Sequence, residues 1–193
     1  MDKMNASQGI DVDVFNTVSE STKMYRGTGD KMEIKGFYTK VEIFDKDGNL
    51  KHTDSFHNDI TNEGKNLILE VMFKDGTQIA STSWFGGLIS NAGYSALSAS
   101  DTMASHSGWA EFTGYTQSTR VAWGPGTPAS QSITNASPMT FDINATGTLK
   151  GIFITSNSTK SGTTGKLWAT GLFSADVPVV SADQMKVTYT VSN

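Results

Sequence analysis

The sequence predicts a mainly β protein: an antiparallel two-sheet sandwich, jelly-roll-like, with one short helix and an extended N-terminal arm. Three observations predict it. Apolar residues recur with period two in Ile133–Asn144, Leu149–Ser156, Leu167–Phe173 and Met185–Val191, with turn residues between them, which is the signature of half-buried strands. Three Trp (Trp84, Trp109, Trp123) lie in a stretch otherwise made mostly of Gly, Ser, Thr and Ala, so a few aromatic bodies must fill a thin core. Charge is uneven: residues 1 to 76 hold 14 of the 19 acidic and 10 of the 15 basic side chains, leaving a Ser/Thr/Gly-rich remainder that reads as Thr-faced β-structure or as surface covered by neighbours.

Taken in order, residues 1–32 are polar, dotted with Gly and without sustained periodicity. Their scattered large apolar residues, Ile10, Val14, Phe15, Met24 and Tyr25 among them, give an extended arm something to bury in another chain. These five, together with Trp168 in the domain that follows, are candidate capsid or partner contacts. A domain of residues 33–193 follows. Residues 33–57 read as a hairpin, turning at Asp45-Lys46-Asp47-Gly48-Asn49, where Asp-Gly supplies the positive φ that a tight turn needs. Asp45, Asp47 and Asn49 alternate as in a calcium loop, but an EF-hand places Gly sixth and Glu twelfth, where this chain has Leu50 and Phe56.

Residues 61–75 read as a helix, capped by Thr61 or Asn62 and stopped by Asp75-Gly76, with Leu67, Ile68, Val71 and Met72 on the face toward a sheet. Sandwich strands fill 84–193, with one helical turn capped by Ser100 or Asp101 and a forced turn at Gly124-Pro125-Gly126.

Gly87-Leu88-Ile89-Ser90, then Asp101-Thr102-Met103-Ala104-Ser105-His106-Ser107-Gly108-Trp109, then Gly165-Lys166-Leu167-Trp168-Ala169-Thr170-Gly171-Leu172-Phe173 carry a likeness to a known group. Over roughly Asn58 to Val191 the chain resembles a family of structural proteins of tailed bacteriophages, of the capsid decoration or cement kind. The resemblance implies a non-enzymatic virion protein on the capsid exterior, made in the host cytoplasm. Its implied partners are the major capsid protein lattice and further copies of itself, as a dimer or trimer. No cofactor is implied.

The residues offer little chemistry to set against this. His52 and His57, five apart in a strand, point to opposite faces and cannot share a metal. His106 beside Ser105 and near Asp101 invites a hydrolase reading, but adjacent Ser-His on one loop lacks a strained nucleophile turn, and a histidine holding the loop backbone is expected instead. Glu111 and Asp142 are the acid pair available for glycoside hydrolysis, and nothing in the sequence ties them together. A formal charge of -4 argues against nucleic acid as partner. The absence of Cys excludes disulfides and thiolate metal sites. No apolar run approaches the ~20 residues of a membrane helix, so no membrane partner is expected.

A second function class uses the aromatics. Sugar-binding sandwiches present exposed rings to pyranoses, and a tail-associated adhesin would do so here. Trp168 is the candidate, because it alternates opposite to Leu167, Ala169 and Phe173, and one of those two faces must leave a single core.

Overall fold

The computed structural model describes residues 37–192, which belong to a unit running from Ile34 to the C-terminus. The expected arm, with Ile10, Val14, Phe15, Met24 and Tyr25, lies outside the described residues.

The described residues open with the expected hairpin. Strand β1 (Phe37–Phe44) pairs antiparallel with β2 (Leu50–Ile60) from Phe37↔Asn58 to Phe44↔Leu50. Asp45 builds the turn between them: its Oδ1 accepts the backbone N–H groups of Asp47 and Asn49, and Gly48 takes the positive φ of 83°. Those donors, the Asn49 backbone N–H first, hold the Asp45 carboxyl below its ordinary value, which favours the ionised acceptor. These bonds satisfy the turn from within.

Helix α1 (Asn62–Phe73) follows at once. Thr61 is its cap: the hydroxyl accepts from Gly64 N–H at 3.0 Å and donates to the Leu167 carbonyl, fixing the helix start to a strand. Beyond the helix Asp75 adopts φ 53°, and the N–H groups of Lys74 and Gly76 both close on the Glu70 carbonyl, which ends it as expected.

The remaining strands are β3 (Phe85–Ser90), β4 (Glu111–Phe112), β5 (Val121–Ala122), β6 (Ser132–Thr134), β7 (Met139–Asp142), β8 (Gly147–Thr155), β9 (Leu167–Val179) and β10 (Gln184–Ser192). All pairings are antiparallel, and the hydrogen-bonded order is β4-β3-β8-β9-β2-β1-β10-β6, with β5 added to β3 and β7 to β10. The mainly antiparallel β framework and the short helix are thus as expected. The path is continuous because β2 changes partner: it pairs with β1 along most of its length and with β9 at Asp59↔Thr170 and Ile60↔Ala169.

That sheet curls so that β3 and β5 near one end face β7 and β10 near the other. Trp123, just after β5, donates its indole N–H to the Tyr189 carbonyl of β10 at 3.1 Å and packs edge-on to the Tyr189 ring. A side chain on Gly86 of β3 would collide with the Met139 sulfur of β7, so the two ends approach as closely as a glycine permits. Inside the curl lies the main core, from Val41 and Ile43 through Leu88, Phe141, Ile152, Ile154 and Val177 to Met185, Val187 and Tyr189. Burial holds the Tyr189 hydroxyl far above the ordinary tyrosine range, so it stays neutral.

The convex face of β3, β8 and β9 is covered too. Ile89, Phe153 and Leu167 point outward from these strands into a second cluster completed by Met103 and Trp109, with Tyr94 and Leu97 at its margin. Residues 91–110 form that cover without regular strands. The helical turn expected after Ser100 is replaced by a tight Thr102↔Ser105 bridge. The reason is that the Asp101 carboxylate, expected as a local cap, instead accepts the Ser98 N–H and the Trp109 indole N–H at 2.9 Å, which ties both loop limbs over Phe153.

Candidate functional site

Three places in the unit collect side chains that could act on something else: a groove at one end, a small cavity under the covering loop, and the outer face of α1.

The groove, about 590 Å³, lies where the β1–β2 turn meets the residues around Asp142 and the β9–β10 turn. Its carboxylates are Asp45, Asp142 and Asp183. Each is already engaged. Asp45 holds its own turn, Asp142 accepts the amides of Gln117 and Gln184 at 2.9 and 2.8 Å, and buried Asp183 accepts the Val180 N–H and pairs with Lys51. These acids knit three connections together, and among the described residues no group of His, Asp and Glu is placed to hold a metal ion.

The cavity under the loop is about 240 Å³ and contains His106, Trp109, Glu111 and Arg120. His106 does what the loop needs: its Nδ1 lies 3.1 Å from the Trp109 carbonyl and its ring stacks on the indole with centroids 4.0 Å apart. Glu111 and Arg120 form a buried bidentate pair, Nε to Oε1 at 3.0 Å and Nη2 to Oε2 at 2.9 Å, with side chains 4% and 0% exposed. Arg120 also donates to the carbonyls of Asn157 and Gly162 and lies over the Phe153 ring, while Glu111 accepts the Ser161 N–H. A glutamate that is buried, paired through both oxygens with Arg120 and bonded by the Ser161 N–H is held as a structural clamp, a poor arrangement for general acid or base work. Asp142, its expected companion, is committed to Gln117 and Gln184 instead.

His52 and His57 fall on opposite faces of β2, half-buried and exposed, as their spacing requires. Trp168 faces the main core. Its indole N–H donates to the Tyr189 hydroxyl at 3.1 Å, its ring meets Trp84 edge-on with centroids 5.9 Å apart, and α1 crosses above it. The expectation that one face of this strand must leave the core fails because there are two cores: Trp168 looks into the curl and Leu167 into the cluster under the loop. A half-buried indole held on two sides is not an open platform for a sugar ring.

The third place is the outer face of α1. Gly64 packs so closely on β9 that a Cβ there would lie 2.5 Å from the Trp168 carbonyl oxygen. Leu67, Ile68 and Val71 lie half-buried on that side, as expected. Met72 does not: it is 62% exposed, with Leu69 at 55% and Phe73 at 77%. At 100° per residue Leu69 and Phe73 lie nearly opposite Gly64 and Val71, and Met72 sits at the edge of their face. These are the three most exposed large apolar side chains on any one element among the described residues. Sequence reasoning assigned one apolar face, yet six apolar residues occur in the seven from Leu67 to Phe73, more than one buried stripe accommodates, and that surplus was the available signal.

No protein-family model matches this chain, and no curated protein matches it. Among the described residues no helix is long and apolar enough to cross a membrane.

Proposed function

We propose that this chain is a non-enzymatic structural virion protein of a tailed phage, which binds the outer surface of the capsid lattice and stabilises it. The observation that carries the reading is the outer face of α1: Leu69, Met72 and Phe73 stand in water while the acids that could serve catalysis are fixed in structural bonds. Exposed apolar area on a helix already packed on its other side is what a protein–protein contact requires. The likeness of Gly87–Ser90, Asp101–Trp109 and Gly165–Phe173 to phage decoration proteins supplies the assembly in which that contact is made, the capsid lattice. A jelly-roll-like sandwich is part of the same reading, and the switch of β2 from β1 to β9 supports it, since strands that change sheets make the corners of such folds.

The energetics suit a lattice. From their exposures the three side chains offer on the order of 400 Å², roughly 10 kcal/mol of gross apolar burial. That is comparable with the ~4–15 kcal/mol cost of association, so a single contact is weak. Copies bound side by side gain through effective concentration. A protein that binds only the assembled lattice stabilises it in proportion to occupancy, by linkage.

The test is co-sedimentation with shells assembled without this protein. Wild-type chain should pellet with the shells, and Phe73→Asp, which places a charge at an exposed helical position, should reduce binding at least tenfold while leaving the far-UV spectrum unchanged. Failure of the wild-type chain to bind any shell overturns the proposal. The adhesin reading keeps no comparable support, because Trp168 packs inward.

A further inference from the structure

We infer that the outer face of α1 pairs with the same face of a second copy, antiparallel, about a two-fold axis between Glu70 and Val71. The inference rests on the reading of this face as an assembly contact and names its partner. Charge supports that partner. Lys65, Glu70, Lys74 and Asp75 surround the apolar residues, all are exposed, and none makes an ion pair among the described residues. They are two cations and two anions, so the rim is self-complementary in number. It is also self-complementary in order. With the axis between positions 70 and 71, Leu69 of one copy lies opposite Met72 of the other, Phe73 covers the join, and the polar turn of Asn62 and Asn66 falls outside the apolar overlap.

Glu70 then lies beside Lys74 of the second copy, about 4.5 Å apart along the axis at a 1.5 Å rise per residue, and the two-fold repeats the pair. Lys65 approaches Asp75 across the other margin. Area sets the strength: on the order of 400 Å² per copy is about half of the ~800 Å² per partner in a stable complex, so the pair forms only at high concentration or when held on a lattice.

The chain has no Cys, which makes the test clean. Sedimentation velocity on the full chain from ~5 µM to ~0.5 mM should show a monomer becoming a dimer, and Phe73→Asp should remain monomeric. Glu70→Lys should weaken self-association roughly 3–10-fold, and adding Lys74→Glu should restore it. An equimolar mixture of Leu69→Cys and Met72→Cys should give the mixed disulfide under mild oxidation, whereas Ser107→Cys on the covering loop should not cross-link. A chain that stays monomeric throughout and forms no mixed disulfide overturns the inference. If Phe73→Asp nonetheless loses shell binding, the face meets a shell subunit and the assembly reading survives. If the wild-type chain binds no shell either, both fail.

Discussion

Replacing Glu111 by Gln removes one proton's worth of charge and almost no volume, and it should be among the most damaging single changes to the fold. Arg120 is wholly buried, and its guanidinium is neutralised by one carboxylate. With Gln in place one donor can still find the amide oxygen, but the cation is left in a low-dielectric site over Phe153, and the Ser161 N–H competes for the same oxygen. Breaking one side of such a pair costs about 3–5 kcal/mol. For a chain of this size that is a fall in Tm of roughly 6–20 °C. Urea denaturation followed by Trp fluorescence reads it directly. The double change Glu111→Leu with Arg120→Met should recover part of the loss by removing the stranded charge, but not all, because the Asn157 and Gly162 carbonyls and the Ser161 N–H lose their partners. A Glu111→Gln protein within about 0.5 kcal/mol of wild type would refute the account of the pair as the clamp between β4, the segment before β5 and the β8–β9 connection.

Gly64→Ala tests the docking of α1: helix propensity alone predicts a gain of about 1 kcal/mol, but a Cβ 2.5 Å from the Trp168 carbonyl oxygen should reverse the sign to a loss of about 1–3 kcal/mol in chemical denaturation, and a stabilised variant would show that the helix does not sit there. Trp109→Phe should cost about 2–4 kcal/mol, since it removes the bond to Asp101 and leaves space over Phe153, with loss of near-UV signal from the covering loop. Asp45→Asn tests linkage. The native carboxyl lies below its ordinary 3.8, so its contribution is complete above that value and is lost as pH falls through the native value. The Tm difference between wild type and variant should be constant from pH 5 to 7 and shrink below pH 4, and a difference that does not change with pH would remove the charge from the explanation.

The sequence exposed what local chemistry controls. Asp-Gly turn residues fixed the first hairpin, Thr61 marked the helix start, and Asp75-Gly76 its end. The odd spacing of His52 and His57 separated them, and His106 became a backbone-bonded loop residue. What it concealed depends on partners distant in the chain. Trp168 cannot be placed from its strand alone, because both faces of β9 are covered, one by the curl and one by residues 91–110. Arg120 gives no periodic signal, yet its burial follows from Glu111, Asn157 and Gly162 converging on it. The two-residue strands β4 and β5 carry no alternation at all, and only their pairing with β3 defines them. Periodicity places Met72 inward, whereas the structure exposes it, because a period of 3.6 leaves residues at the stripe's edge undecided until the packed neighbour is known.

The distribution of charge now has a physical reading. After Gly76 the chain carries five acids and five bases, and most hold the fold: Glu111 with Arg120, Asp176 with Lys150, Asp183 with Lys51, and Lys166 with Glu63. Lys160, its ammonium pushed below the ordinary lysine value by desolvation, donates to the Thr113 and Tyr115 carbonyls and is bound to the structure as well. Charges used this way cannot discriminate a partner, since engaging one would break an internal bond. The uncharged strand surface cannot discriminate by charge either. The helix differs on both counts, because Lys65 and Glu70 of α1, with Lys74 and Asp75 just past its end, make no ion pair among the described residues and surround exposed Leu69, Met72 and Phe73. Specific association needs apolar area for affinity and free charge for register, and α1 is the described element that carries both.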